Sequence, residues 1–185
     1  MPSLAYGSRD TTWTAVIGRA TLVEPAISGR QRGKTGVGER CIVVVTASLT
    51  TGIACVASGA VDCLRLVDQV LQLDHIEWET SLYVGDFEFY RSKDGPYPNH
   101  QLRISVRPSA GFAALAYIDH EDSLMSVAVS DNRQQLGPDV HLVFNGSTGA
   151  VFPRVAAIPV SEAHRALVEW LESRRRPTCI SWIPF

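Results

Sequence analysis

The chain has 185 residues, enough for one domain with a sizeable hydrophobic core. Apolar residues make up 45% and charged residues 19%, which excludes a disordered chain, and a net charge of −2 gives no overall pull towards nucleic acid or anionic lipid. No apolar run approaches the roughly 20 residues that a membrane helix needs, and no basic region followed by an apolar run opens the chain, so a cytosolic protein is expected.

In chain order, residues 13–23 read as a strand. Residues 28–40, SGRQRGKTGVGER, hold four glycines and four basic residues and form the main compositional break. They divide an N-terminal arm over 1–40 from a main domain over 41–185. The continuous apolar run CIVVVTA (41–47) predicts a strand buried on both faces, and GIACVA (52–57) a second short strand. In SGAVDCLRLVDQVLQL (58–73), Ser58 is the expected N-cap, and Ala60, Cys63, Leu64, Val67, Val70 and Leu71 recur at helical spacing. QLRISVR (101–107) alternates cleanly, with Leu102, Ile104 and Val106 on one side.

PSAG (108–111) turns that strand into FAALAYI (112–118), a predicted hairpin. SLMSVAV (123–129) continues the meander, and VHLVF (140–144), the turn NGSTG (145–149) and AVF (150–152) follow. A second helix is expected from Ser161, its cap, with Ala163, Ala166, Leu167, Trp170 and Leu171 on its apolar stripe. Arg174 to Arg176 suit the negative end of the helix dipole, and Pro177 cannot continue the helix. TCISWI (178–183) ends the pattern as a strand. Two helices separated by a long run of strands predict an α+β fold, a mainly antiparallel sheet meander with two packed amphipathic helices.

Charge is unevenly spread. Residues 74–139 hold eleven acids and five bases, a local charge of −6, so the rest of the chain carries +4. The acidic middle reads either as a solvated face or as a patch complementary to a basic partner.

The motifs that resemble catalytic signatures do not survive inspection. GRQRGKT lacks the spacing of a phosphate loop, and Gly36 and Gly38 oppose the helix that would have to follow. His75-Ile76-Glu77 matches half of a zinc-deaminase signature, but Cys179 is the one cysteine after it, so three metal ligands cannot be assembled. Cys41, Cys55, Cys63 and Cys179 show no metal-ligand spacing and read as reduced core thiols; no metal or cofactor is expected. His120, with Glu121 and Asp122, is explained by a turn at 119–122.

The C-terminal third carries a more specific pattern. A strand enters a glycine turn and then Phe152-Pro153; Ile158-Pro159 precedes an amphipathic helix; and Arg176-Pro177-Thr178-Cys179 with Trp182 follows it. This order resembles the Imm1 family of bacterial immunity proteins, and the resemblance covers residues 41–183. It implies an α+β fold without catalytic activity. It also implies a role in polymorphic toxin systems, where an immunity protein protects a bacterium from a toxin used in interbacterial competition. Toxins linked to the family are commonly of the deaminase fold, including ones that act on cytosine in nucleic acid. The motif residues themselves read as structure: Pro177 stops the helix, and Trp182 and Cys179 are expected in the core.

The partner implied is therefore a toxin domain of deaminase fold, blocked at its active site or substrate groove. A nucleic-acid deaminase needs a basic surface for phosphates, and an acidic surface with aromatic anchors would occupy it. The expected contact residues are Asp86, Glu88, Tyr90, Asp94 and Tyr97 in 85–100, and Asp119, Glu121 and Asp122 in 119–123. Two other classes remain open. One is a small enzyme using His120 or His100 as a base, which requires a concave pocket joining a histidine to carboxylates. The other, a nucleic-acid module using Arg30, Arg32, Lys34 and Arg40, is opposed by the acidic remainder; neither nucleic acid nor membrane is an expected partner.

Overall fold

The computed structural model describes residues 43–89 and 100–185. The strand expected at 13–23 and the basic loop at 28–40 lie outside the described residues, as do Tyr90, Asp94 and Tyr97.

Ten strands and two α-helices are formed among the described residues. They run β1 (Val44–Ser48), β2 (Ala54–Ser58), α1 (Ala60–Gln72), β3 (Thr80–Gly85), β4 (His100–Arg107), β5 (Phe112–Asp119), β6 (Val127–Asp131), β7 (Val143–Asn145), β8 (Ala150–Val151), β9 (Ile158–Pro159), α2 (Val160–Ser173) and β10 (Ser181–Pro184). The main sheet has the order β10-β6-β5-β4-β3-β1-β2, and β9 adds a short pairing to β5. Every pairing is antiparallel. The fold is α+β, as the pattern of the sequence requires.

Both helices contribute to one core with the same face of the sheet. Cys63, Leu66, Val67, Val70 and Leu71 of α1, and Ala163, Ala166, Leu167, Trp170 and Leu171 of α2, join Leu82, Leu102, Ile104, Val106, Leu115 and Tyr117. Burying each large apolar side chain in such a layer stabilises the fold by roughly 1.5–3 kcal/mol. Alternation along β5 then sends Ala114 and Ala116 to the opposite face. There they meet Leu142, Phe152, Ala156 and Ala157 from the segment after β6. Two buried hydroxyls stitch this second layer to the sheet. Ser130 accepts the Leu115 N–H and donates to the Ala156 carbonyl at 2.6 Å, and Ser105 accepts the Val143 N–H at 2.9 Å.

Several expectations shift. Ser58 belongs to β2 and caps nothing; Gly59 precedes α1 with φ 83°, a left-handed backbone that a side chain disfavours. Leu64 is exposed and Leu66 takes its place in the core, because the stripe facing the sheet is rotated from the one expected. Ser161 lies inside α2, and Pro159 stands at its N-cap. The strand expected at 123–129 is Val127–Asp131, since the Asp122 carboxylate accepts the Leu124 and Met125 amides and holds the preceding residues in a turn. β7 and β8 leave the meander and pair with each other as a separate hairpin.

Candidate functional site

The site begins where α2 stops. Trp170 is fully buried, and its carbonyl accepts the N–H of Arg174 at 2.8 Å, closing the last turn. Arg174 has φ 55°, the one left-handed non-glycine residue among the described residues. For a residue with a Cβ this conformation costs roughly 1–2 kcal/mol. It lets the chain double back, so that 177–180 return along α2 before β10 begins.

That return is clasped by Glu169. Its Oε1 accepts the Thr178 N–H at 2.7 Å and the Thr178 hydroxyl at 2.8 Å, and its Oε2 accepts the Cys179 N–H at 2.9 Å. The Cys179 side chain foremost, together with these donors, holds the Glu169 carboxyl down at about 2. The Trp182 indole N–H donates to the Pro177 carbonyl at 2.7 Å, and Arg165 donates to the Cys179 carbonyl. Pro177 is buried; Trp182 is half-buried against the helix-side core, whereas Ile183 faces the second layer.

Beside this loop lies an open cleft of about 530 Å³. Its aromatic lining comes from three strands: His100 of β4, Tyr117 of β5 and Trp182 of β10. The Tyr117 ring stacks on His100 with centroids 5.5 Å apart and meets Trp182 edge-on at 6.3 Å. Burial, with the nearby Asp119 charge, pushes the Tyr117 phenol up to about 12, so it remains a neutral hydrogen-bonding group. Arg174, Arg175, Arg176 and Thr178 form one wall, and Asp119 and Glu121 also line the cleft.

Two of the three arginines are spoken for. Arg174 Nη1 lies 2.8 Å from Asp86 Oδ1, and Arg176 Nη1 lies 3.3 Å from Asp122 Oδ2. Consecutive basic residues thus splay towards the end of β3 and the β5–β6 turn. Arg175, between them, is exposed and has no ion-pair partner among the described residues.

Asp119 and Glu121 therefore line the cleft, and Asp86 and Asp122 pair with two of the arginines that line it. Asp86 and Asp122 are engaged by the chain's own arginines, Arg174 and Arg176, which the sequence reading had given to the helix dipole and, for Arg176, to the C-terminal pattern. Glu88 follows β3 and is half-buried. Among the residues of the C-terminal pattern, Phe152 is in the second layer and Pro153 and Pro159 flank short turns and helix starts. Arg176, Pro177, Thr178, Cys179 and Trp182 build the clasped loop and the cleft wall. Glu169, Tyr117 and Arg175 were missed. The triple arginine was a visible signal, but nothing local marks Glu169 or Tyr117.

The cleft also joins His100 to Asp119 and Glu121, the arrangement that a histidine-based enzyme requires. However, His100 Nε2 is buried and makes no hydrogen bond among the described residues, and burial lowers the pKa of the ring. A general base must reach the proton it takes, which the buried Nε2 does not. His120 is exposed in the β5–β6 turn.

No helix among the described residues is long and apolar enough to cross a membrane. No curated protein matches the chain. The family model described as immunity protein Imm1 matches residues 51–184, a span that takes in β2, both helices, the clasped loop and every described residue of the cleft. The chain belongs to the Imm1 family of immunity proteins.

Proposed function

We propose that this immunity protein neutralises a deaminase-fold toxin that acts on cytosine in nucleic acid. It does so in the cytosol, by covering the toxin's active site or substrate groove. The observation that carries this reading is an aromatic-lined cleft with Asp119 and Glu121 in its lining, two of whose arginines pair with Asp86 and Asp122. A toxin that grips nucleic acid must present cations for phosphates. A preformed surface with carboxylates at its rim and aromatic rings at its base competes for them. Asp119 lines the cleft and is the acid best placed to meet those cations, because Asp86 and Asp122 already have arginine partners. Glu88, Tyr90, Asp94 and Tyr97 belong to the same proposed contact surface by sequence.

The test uses the toxin domain encoded beside this gene. Co-expression should restore growth to cells that express the toxin. A variant carrying Asp119→Lys and Glu121→Lys together should associate with it more slowly at low salt, with the difference shrinking as salt rises. Equal association rates for variant and wild type would sink the acidic-surface mechanism. Loss of protection with retained folding would support it.

A further inference from the structure

We infer that Arg175 is the socket for a carboxylate on the toxin, so that the cleft takes a toxin loop of mixed charge rather than a purely basic one. This rests on the immunity reading above and specifies the chemistry of the partner. Three facts lead to it. First, the Arg174 and Arg176 guanidiniums are neutralised within the chain by Asp86 and Asp122. Second, Arg175 lines the same cleft, is exposed, and has no ion-pair partner among the described residues. Third, the loop that carries it is held from both sides. The Arg175 N–H donates to the Ser173 hydroxyl at 3.2 Å, and Glu169 anchors Thr178 and Cys179. The backbone of this cation is thus fixed before binding, which lowers the entropy lost on association.

Its partner should be a carboxylate on a polypeptide. A nucleic-acid phosphate chain entering the cleft would meet Asp119 and Glu121 as well as Arg175, and the other two arginines of its wall are already paired with Asp86 and Asp122. A protein loop can place one acid against Arg175 and one cation against Asp119 while its apolar stems lie on Tyr117 and Trp182. Such opposed pairs also fix the register of docking and reject toxins with the wrong charge order.

The experiment measures binding and dissociation rates for the toxin domain encoded beside this gene against wild type, Arg175→Ala, Arg175→Glu and a control, Arg65→Glu. Arg65 pairs with Asp62 on the exposed side of α1, so the control matches the change in net charge away from the cleft. Arg175→Ala should weaken binding by about tenfold, and Arg175→Glu by more, chiefly through faster dissociation. The control should bind like wild type. Replacing the matching toxin acid with lysine should restore binding to Arg175→Glu. If wild type binds and protects while Arg175→Glu does so equally well, the carboxylate socket is wrong and the immunity reading stands. If wild type neither binds nor protects, both fall. Unchanged melting temperatures across the variants exclude a folding defect.

Discussion

Glu169 grips Thr178 twice through a single oxygen, Oε1, which accepts the Thr178 backbone N–H at 2.7 Å and its hydroxyl at 2.8 Å. The contact ties the last turns of α2 to the returning chain and so sets the wall of the cleft. Two residues that are nine apart in sequence meet only because Arg174 reverses the chain between them.

Replacing Glu169 with Gln should therefore loosen residues 177–180 and lower the melting temperature at pH 7. The folded carboxyl sits at about 2, below its ordinary 4.5. A depressed acid contributes stability above its unfolded value and loses it as pH falls through its folded value. The difference in denaturation midpoint between wild type and Glu169→Gln should thus be largest above pH 4.5 and vanish towards pH 2. A difference that does not depend on pH would show that the carboxylate charge is not what holds the loop.

The two C-terminal tryptophans should differ in cost. Trp170 is fully buried in the helix-side core, whereas Trp182 is half-buried and hydrogen-bonded at the cleft. Trp170→Ala should destabilise by about 3–5 kcal/mol. Trp182→Phe should cost about 1 kcal/mol, since it keeps most of the packing and loses the bond to the Pro177 carbonyl. Urea denaturation of both variants checks the order.

His75 makes the fold acid-sensitive. It is fully buried, with Nδ1 at 3.1 Å from the Leu73 carbonyl and Nε2 at 2.7 Å from the Thr80 hydroxyl. A neutral ring satisfies both by donating from Nδ1 and accepting at Nε2, while the Thr80 oxygen also accepts the Thr50 N–H. Burial lowers the pKa of His75 below its ordinary 6.5. Stability is therefore present above pH 6.5 and is lost as pH falls through the lower folded value. Denaturant midpoints should decline with acidification in that range, and less steeply in His75→Asn. Thr80→Val should cost about 1–3 kcal/mol by leaving Nε2 without a donor.

Gly146 supports the β7–β8 hairpin from below. A Cβ at this position would stand 2.5 Å from the Glu77 carbonyl oxygen and 2.6 Å from the Trp78 ring. Neither backbone nor ring can yield cheaply, so Gly146→Ala should destabilise by about 1–3 kcal/mol. It should also break the Gly146 N–H bond to Glu79, now 2.9 Å. A thermal melt indistinguishable from wild type would contradict the close packing.

Much of the fold was legible because its signals are local. The apolar stripe of α2 identified all five of its core residues, Ala163, Ala166, Leu167, Trp170 and Leu171, and the alternation in β4 assigned Leu102, Ile104 and Val106 to one face. The β7 segment was less legible. Its apolar run suits any sheet, and its pairing with β8 rather than the meander depends on Ala114 and Ala116 leaving room for a second layer. The family pattern pointed to the loop at 176–182 but not to what it builds.

Periodicity, turn chemistry and charge composition thus determined by themselves the kinds of element, the α+β class and an acidic middle, since each arises between residues a few positions apart. Which charges remain available was decided only by tertiary structure. Arg174 and Asp86 are 88 residues apart, and their pairing arises where the end of β3 meets the reversal after α2. No local rule foresees that pairing, yet it engages Asp86 and, with its counterpart at Arg176 and Asp122, leaves Arg175 as the one of the three arginines without an ion-pair partner among the described residues.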